Sequence, residues 1–206
     1  MAASDTRDEV ALARNLIAGE PGAFDRFVEV FRSKIFHYAQ TVCGRREDAE
    51  EVAQDTLLKV FSNFGQLREP ERVKAWVFRI ARNECLMRRR KSVFAPTQEL
   101  SLDDFLPHQD QDDGRRLEIA DWSALPDDQA LRGELRETVQ AAIQKLPEIY
   151  RAVMTLRDIE ELSTEETADV LEISVEAVKT RLHRARLSVR QKLEEYMKGA
   201  RAGGRL

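Results

Sequence analysis

The sequence predicts an all-α protein of two small helical domains joined by a long acidic linker, and three observations carry that reading. Charged residues make up 34% and hydrophobic residues 42% of 206, with only 9 Gly and 6 Pro, a composition that favours long amphipathic helices. Apolar positions recur at helical spacing in residues 1–92 and again in 134–206. Between these stretches the charge balance shifts: Lys and Arg stand against Asp and Glu as 17 to 14 over residues 1–92, 3 to 10 over 93–133, and 13 to 13 over 134–206. The overall charge of -4 is therefore set by the middle segment.

In the first domain, "EDAEEVAQDTLLKVFSNF" reads as an amphipathic helix with Ala49, Ala53, Leu57, Val60, Phe61 and Phe64 on one arc. The opposite arc, Asp48, Glu51, Val52, Asp55, Leu58, Lys59 and Ser62, mixes carboxylates with sizeable aliphatics. That mixture suits a protein-contact surface better than a solvated one. After the loop "NFGQLREPE" comes "RVKAWVFRIARNECLMRRRK", a helix with Val73, Val77, Ile80 and Ala81 inward and Arg79, Arg82, Asn83, Leu86 and Arg90 outward. Trp76 and Phe78 are set among cations. Aromatics interleaved with Arg and Lys suit unpaired bases, where stacking and phosphate contacts act together; core packing is the competing reading for Trp76.

The middle segment, 93–133, holds three of the six prolines and no sustained helical period, and reads as a linker. Leu102, Phe105, Leu106, Ile119, Trp122 and Leu125 interrupt its acids. A solvating tether has no need of them, so the segment reads either as a simple spacer or as a polyanion mimic that something binds.

In the second domain, "LRETVQAAIQKLPEIYRAVMTLRDIE" supplies two helices divided by Pro147, with Leu146, Ile149, Val153 and Leu156 as core. "LSTEETADVLEISVEAVKTRLHRAR" then begins with a capping box of Ser163 and Glu166, runs to Leu171, turns through "EIS", and restarts with Ser174 as cap. The second helix places Val178, Leu182, Ala185 and Val189 on one stripe, and the whole is a helix-turn-helix pattern. The arc opposite carries Glu176, Thr180, His183, Arg184 and Leu187, flanked by Lys179 and Arg181. A basic helix face alone reads as solvated; behind a capped helix and a three-residue turn it reads as a DNA-reading face. Thr180, Arg181 and Arg184 suit base edges or phosphates, and Lys179, Arg186 and Arg190 suit the DNA backbone.

Cys43 and Cys85 lie far apart without a CxxC spacing, so the expectation is two reduced thiols and no zinc site. His37, His108 and His183 are scattered singly, which gives no support to a metal site or a catalytic triad, and no cofactor is expected. No apolar run is long enough for a signal or a membrane span, so the expected location is the cytoplasm.

Taken together, these segments resemble the extracytoplasmic-function group of the bacterial sigma-70 family, the initiation subunits of RNA polymerase. "DAEEVAQDTLLKVF" is similar to the family's core-polymerase-binding segment, "VKAWVFRIARNECLMRRR" to its promoter -10 segment, and "LPEIYRAVMTLRDIEELSTEETADVLEISVEAVKTRLHRAR" to its -35 domain. The resemblance implies that residues 1–92 form sigma domain 2 and residues 134–206 form sigma domain 4. It implies that Asp48, Glu51, Gln54, Asp55 and Leu58 meet the clamp helices of the large polymerase subunit. Lys74, Trp76, Arg79, Arg82 and Asn83, with the loop from Gly65, would handle unpaired -10 bases. Lys179, Thr180, Arg181, His183, Arg184 and Arg186 would meet -35 DNA. The linker would thread through the polymerase, and an anti-sigma factor is a further partner that the resemblance admits.

Two departures stand out. Glu172 occupies a turn position where the family commonly has Gly and where φ tends to be positive, so strain of about 1 kcal/mol or a different turn is expected. Glu176 and His183 also differ from common choices. The chain is thus expected to be a promoter-specificity subunit without covalent chemistry of its own. The rivals are an autonomous helix-turn-helix regulator, which would bind an operator alone and usually as a dimer, and a metal-dependent nuclease using the carboxylates of "EDAEE", which would need them to converge in a cleft.

Overall fold

The computed structural model describes residues 2–91 and 129–202, and these form eight α-helices joined by turns. No β-strand occurs among the described residues. Residues 92–128, with most of the acidic linker and the apolar residues that suggested a polyanion mimic, lie outside them.

The first lobe contains α1 (Ala2–Ile17), α2 (Ala23–Cys43), α3 (Arg46–Asn63) and α4 (Val73–Lys91). Phe27, Phe31, Ile35, Tyr38 and Val42 form one stripe along α2, and all are buried. Their spacing of three or four residues keeps them on a single face. Gly44 ends the helix at φ 85, where a side chain is disfavoured, and its N–H donates to the Gln40 carbonyl. Helix α3 packs on α2 and α4, and the loop before α4 is tightened by short 3₁₀ turns at Phe64–Gln66 and Pro70–Arg72. Phe78 is fully buried against Tyr38, with ring centroids 5.3 Å apart, so it is core and not an exposed stacking platform.

The second lobe contains α5 (Gln129–Gln144), α6 (Glu148–Met154), α7 (Thr164–Leu171) and α8 (Val175–Ala202). Helix α5 thus starts inside the stretch expected to be linker. Pro147 precedes the first turn of α6, where its missing N–H costs nothing. A wide π-type turn over Thr155–Ile159 follows, and the expected capping box then starts α7: the Ser163 hydroxyl accepts from the Glu166 N–H while the Glu166 carboxylate accepts from the Ser163 N–H. Ser174 caps α8 by accepting from the Ala177 N–H, 3.1 Å away. Val178, Leu182, Ala185 and Val189 are buried as the stripe required.

Two features differ from the sequence expectation. Cys43 and Cys85, expected as separate thiols, form a disulfide across a Cα–Cα distance of 5.8 Å. The last residue of α2 and the middle of α4 meet beneath the first turns of α3, beside Ala39, Ala49 and Val52, a juxtaposition that linear spacing does not reveal. The lobes, expected to be tethered by a linker, also pack directly on each other. Leu156, Leu162, Val170 and Leu171 belong to the same buried apolar cluster as Phe31, Val73 and Phe78.

Candidate polymerase and nucleic-acid interfaces

Helix α3 buries Ala49, Val52, Ala53, Thr56 and Val60. Val52 was expected on the outer arc; it points instead into the cluster around the disulfide, because α4 covers that side of the helix as well as α2. Phe61, expected inward, is 63% exposed and rests edge-on against Phe24 at 4.8 Å. Leu58 is 58% exposed, so Leu58 and Phe61, one turn apart, form an apolar ridge. Gln54 is exposed beside it, and Asp48 and Asp55 are half-exposed. Glu51 pairs with Arg88 of α4, the Asp55 carboxylate lies 3.6 Å from the same guanidinium, and Arg45 stands 3.9 Å from Asp48. The outer face of α3 therefore combines carboxylates with an apolar ridge, and two of those carboxylates, Glu51 and Asp55, share the Arg88 guanidinium.

Helix α4 presents the five residues expected to meet unpaired bases in unequal states. Asn83 is exposed, and Trp76 is half-buried edge-on to Phe64 at 6.1 Å. Lys74 was expected at the surface but is buried: its ammonium donates to the Glu160 carbonyl at 2.7 Å and lies 3.6 Å from the Glu9 carboxylate. Glu9 is itself 1% exposed and accepts from Lys34 at 2.6 Å, so α1 and α2 supply the charge compensation that lets Lys74 stay inside. Arg79 donates to the Asp169 carbonyl at 3.2 Å, and Arg82 pairs with Glu172 at 3.0 Å. Arg72, which precedes α4, pairs with the Asp169 side chain. These partners all belong to the second lobe. Sequence reasoning did not anticipate Asp169 or Glu160 as contacts, because nothing local announces a pairing across ninety residues.

Helix α8 leaves its reading face open. Thr180 and His183 are exposed and Arg184 is half-exposed on the side opposite the buried stripe, with exposed Lys179 and half-exposed Arg181 on its flanks. Lys179 donates to Glu176 at 2.9 Å, which raises its pKa above the usual lysine value. Arg186 makes a two-pronged contact with Asp158, at 2.9 and 2.5 Å, which holds the guanidinium in its charged form and splays it off the helix toward the π-type turn. Arg190 likewise donates to Glu194 at 2.8 Å, so all three expected backbone anchors carry carboxylate partners that DNA phosphates would have to displace. Glu172 adopts the positive φ anticipated from its place in the turn, 54°, and caps α7 through its own N–H to the Ala168 carbonyl.

Among the described residues, no group of three or more His, Cys, Asp or Glu side chains is placed to hold a metal ion, and no helix is long and apolar enough to cross a membrane.

A capped helix-turn-helix with an open basic face, beside a second helical lobe with an amphipathic contact helix, defines a transcription protein that combines DNA reading with a protein-docking surface. Comparison with known proteins specifies it further. The family description "Sigma-70 region 2" matches residues 27–93, and "Sigma-70, region 4" matches 136–189. The ECF RNA polymerase sigma factor SigW of Bacillus subtilis is 31% identical over 179 residues, covering 86% of this chain and 92% of SigW. The RNA polymerase sigma-H factor of Pseudomonas aeruginosa is 28% identical, covering 92% of this chain and 95% of its own. The same fold occurs in CnrH, solved in complex with the cytosolic domain of CnrY, with a TM-score of 0.58 at 24% identity over 91% of this chain and 97% of that one. It occurs again in RpoE of Bartonella quintana, solved with the anti-sigma factor NepR, with a TM-score of 0.57 at 21% identity over 84% and 98%. The chain belongs to the extracytoplasmic-function group of the sigma-70 family of RNA polymerase sigma factors.

Proposed function

We propose that this chain directs core RNA polymerase to its promoters by dividing the work among α3, α4 and α8. Sigma factors are regulatory subunits and not catalysts, so each role is one of binding. Helix α3 docks on the polymerase clamp through Asp48, Glu51, Gln54, Asp55 and Leu58, where an apolar ridge flanked by carboxylates suits a partner face of aliphatic and basic side chains. Helix α8 enters the major groove of the -35 duplex: Thr180, Arg181, His183 and Arg184 face the bases, and Lys179 and Arg186 exchange their carboxylates for phosphates. Helix α4 takes the unpaired -10 strand with Trp76, Arg79, Arg82 and Asn83, and Lys74 braces the helix from inside. Residues 1–92 and 134–206 act as sigma domains 2 and 4, and the work takes place in the cytoplasm.

The observation that carries the reading is the exposed arc of α8, which lies opposite a fully buried stripe and behind two capped helix starts. Footprinting of the holoenzyme on a promoter that it opens tests it. Protection is expected at the -35 duplex and permanganate-reactive thymines at -10. Asn83→Ala should weaken the -10 signal while leaving -35 protection intact, and the loss of both together would contradict the division of labour.

A further inference from the structure

We propose that Cys43 and Cys85 form a redox site that responds to hydroperoxides, and that closing their disulfide fixes the start of α3 for docking on polymerase. The second half of the inference rests on the reading of α3 as the polymerase face.

The site is built where α2, α3 and α4 meet. Cys43 is the last residue of α2, and only Gly44 and Arg45 separate it from α3. Cys85 lies on α4, and the disulfide joins the two across 5.8 Å between Cα atoms. Ala39 of α2 and Ala49 and Val52 of α3 pack around it. The bond therefore pins the corner between α2 and α3 onto α4, beneath the turns that carry Asp48 and Glu51. Helix α3 has no side-chain cap, since Arg45 at its N-cap bonds none of the free N–H groups, so packing from beneath has to hold its first turn. One turn beyond Cys85 stands Arg88, the guanidinium that pairs with Glu51 and lies 3.6 Å from the Asp55 carboxylate. The disulfide is thus coupled to the carboxylates of the polymerase face through both α3 and α4.

The surroundings suit a bond that forms and breaks. Disulfides are rare in a reducing cytoplasm, and those that form there are usually transient and redox-sensing. Cys43 is partly exposed whereas Cys85 is 6% exposed, so a small oxidant in solvent reaches Cys43 first. Arg151 donates to the Val42 carbonyl at 3.3 Å, which sets a cation beside Cys43 and favours its thiolate. That thiolate attacks one oxygen of a hydroperoxide, the O–O bond breaks, and a sulfenic acid forms with release of water or an alcohol. The Cys85 thiolate then attacks the sulfenic sulfur, the S–S bond forms, and the sulfenic oxygen leaves as water. The electron pair and the protons lost by the thiols are taken up by the hydroperoxide. A dithiol reverses the change by thiol–disulfide exchange and becomes a disulfide itself.

The test uses the full chain, reduced with dithiothreitol or oxidised with hydrogen peroxide, each reagent being removed before core polymerase is added. Both thiols should vanish on peroxide treatment and return with dithiothreitol. Amide exchange over residues 46–52 of α3 should be faster in the reduced chain. Affinity for core polymerase should fall about fivefold on reduction, as when the docking-ready arrangement drops to about one fifth of the population. Cys43→Ser/Cys85→Ser should bind like the reduced chain whichever treatment it receives. Thiols that persist in peroxide would overturn the proposal, and so would equal α3 exchange in the oxidised and reduced chains. Redox-dependent exchange with equal core affinity would instead uphold the redox site and refute α3 as the polymerase face. The wild-type chain carries both states, so each of these outcomes is readable even where the serine variant fails to fold.

Discussion

Glu51 of α3 and Arg88 of α4 form an ion pair, and the Asp55 carboxylate lies 3.6 Å from the same guanidinium. One cation from the neighbouring helix thus steadies two carboxylates of the proposed polymerase face. Reversing the charge in Asp55→Arg would set a cation beside Arg88 and confront the polymerase with the wrong sign, a juxtaposition that costs several kcal/mol at an interface. Pull-down with core enzyme should fall by at least about tenfold, roughly 1.4 kcal/mol. The circular dichroism should stay that of a helical protein. Core binding equal to wild type would remove α3 from the interface.

Arg184→Ala tests the other end of the molecule. The side chain lies on the arc opposite the buried stripe of Val178, Leu182, Ala185 and Val189, so the fold should survive its loss. If it meets a base, -35 duplex binding by the holoenzyme should weaken by roughly 1–3 kcal/mol, with relaxed preference at one base pair. Core binding should not change. A gel shift against matched and mutated -35 duplexes reads both effects.

The disulfide makes stability depend on redox conditions. Joining Cys43 to Cys85 closes a loop of 42 residues, which in the chain-entropy model stabilises the fold by about 2–4 kcal/mol. Denaturant titration should show that loss when reductant is added to the wild type. In Cys43→Ser/Cys85→Ser the reductant should have no effect. A wild-type midpoint insensitive to reductant would show that the bond does not form.

His37 on α2 is partly buried, and desolvation lowers its pKa below the usual histidine value of about 6.5. The unfolded chain therefore binds this proton more readily than the native one. The sign follows from linkage: stability is complete above the unfolded value and is lost as the pH falls toward the native one. His37→Gln should flatten the decline in unfolding free energy below about pH 6.5. A decline as steep as that of wild type would assign it to other groups.

What the sequence displayed, and what it withheld, follows from the range of the interactions. The helix-turn-helix was legible to the residue, because Ser163, Glu166 and Ser174 announce helix starts through contacts only three positions long. The positive φ of Glu172 was anticipated from the family resemblance, since Gly is common at that turn position. Family resemblance supplied the three proposed binding segments, but periodicity misplaced Val52 and Phe61, since α3 is covered by α4 as well as α2 and its buried arc is turned accordingly. The disulfide and the Arg72–Asp169 and Arg82–Glu172 pairs were illegible. Each joins residues dozens of positions apart, and only the packing of whole helices brings them together.

The most direct test of promoter-specific initiation is in vitro transcription of a pool of genomic promoter fragments by core polymerase, with and without this chain. The account predicts transcripts that appear only when the chain is present and that start downstream of fragments sharing one -35 and one -10 motif. Transcripts that do not depend on the chain, or fragments bound as tightly by the chain alone as by the holoenzyme, would contradict it.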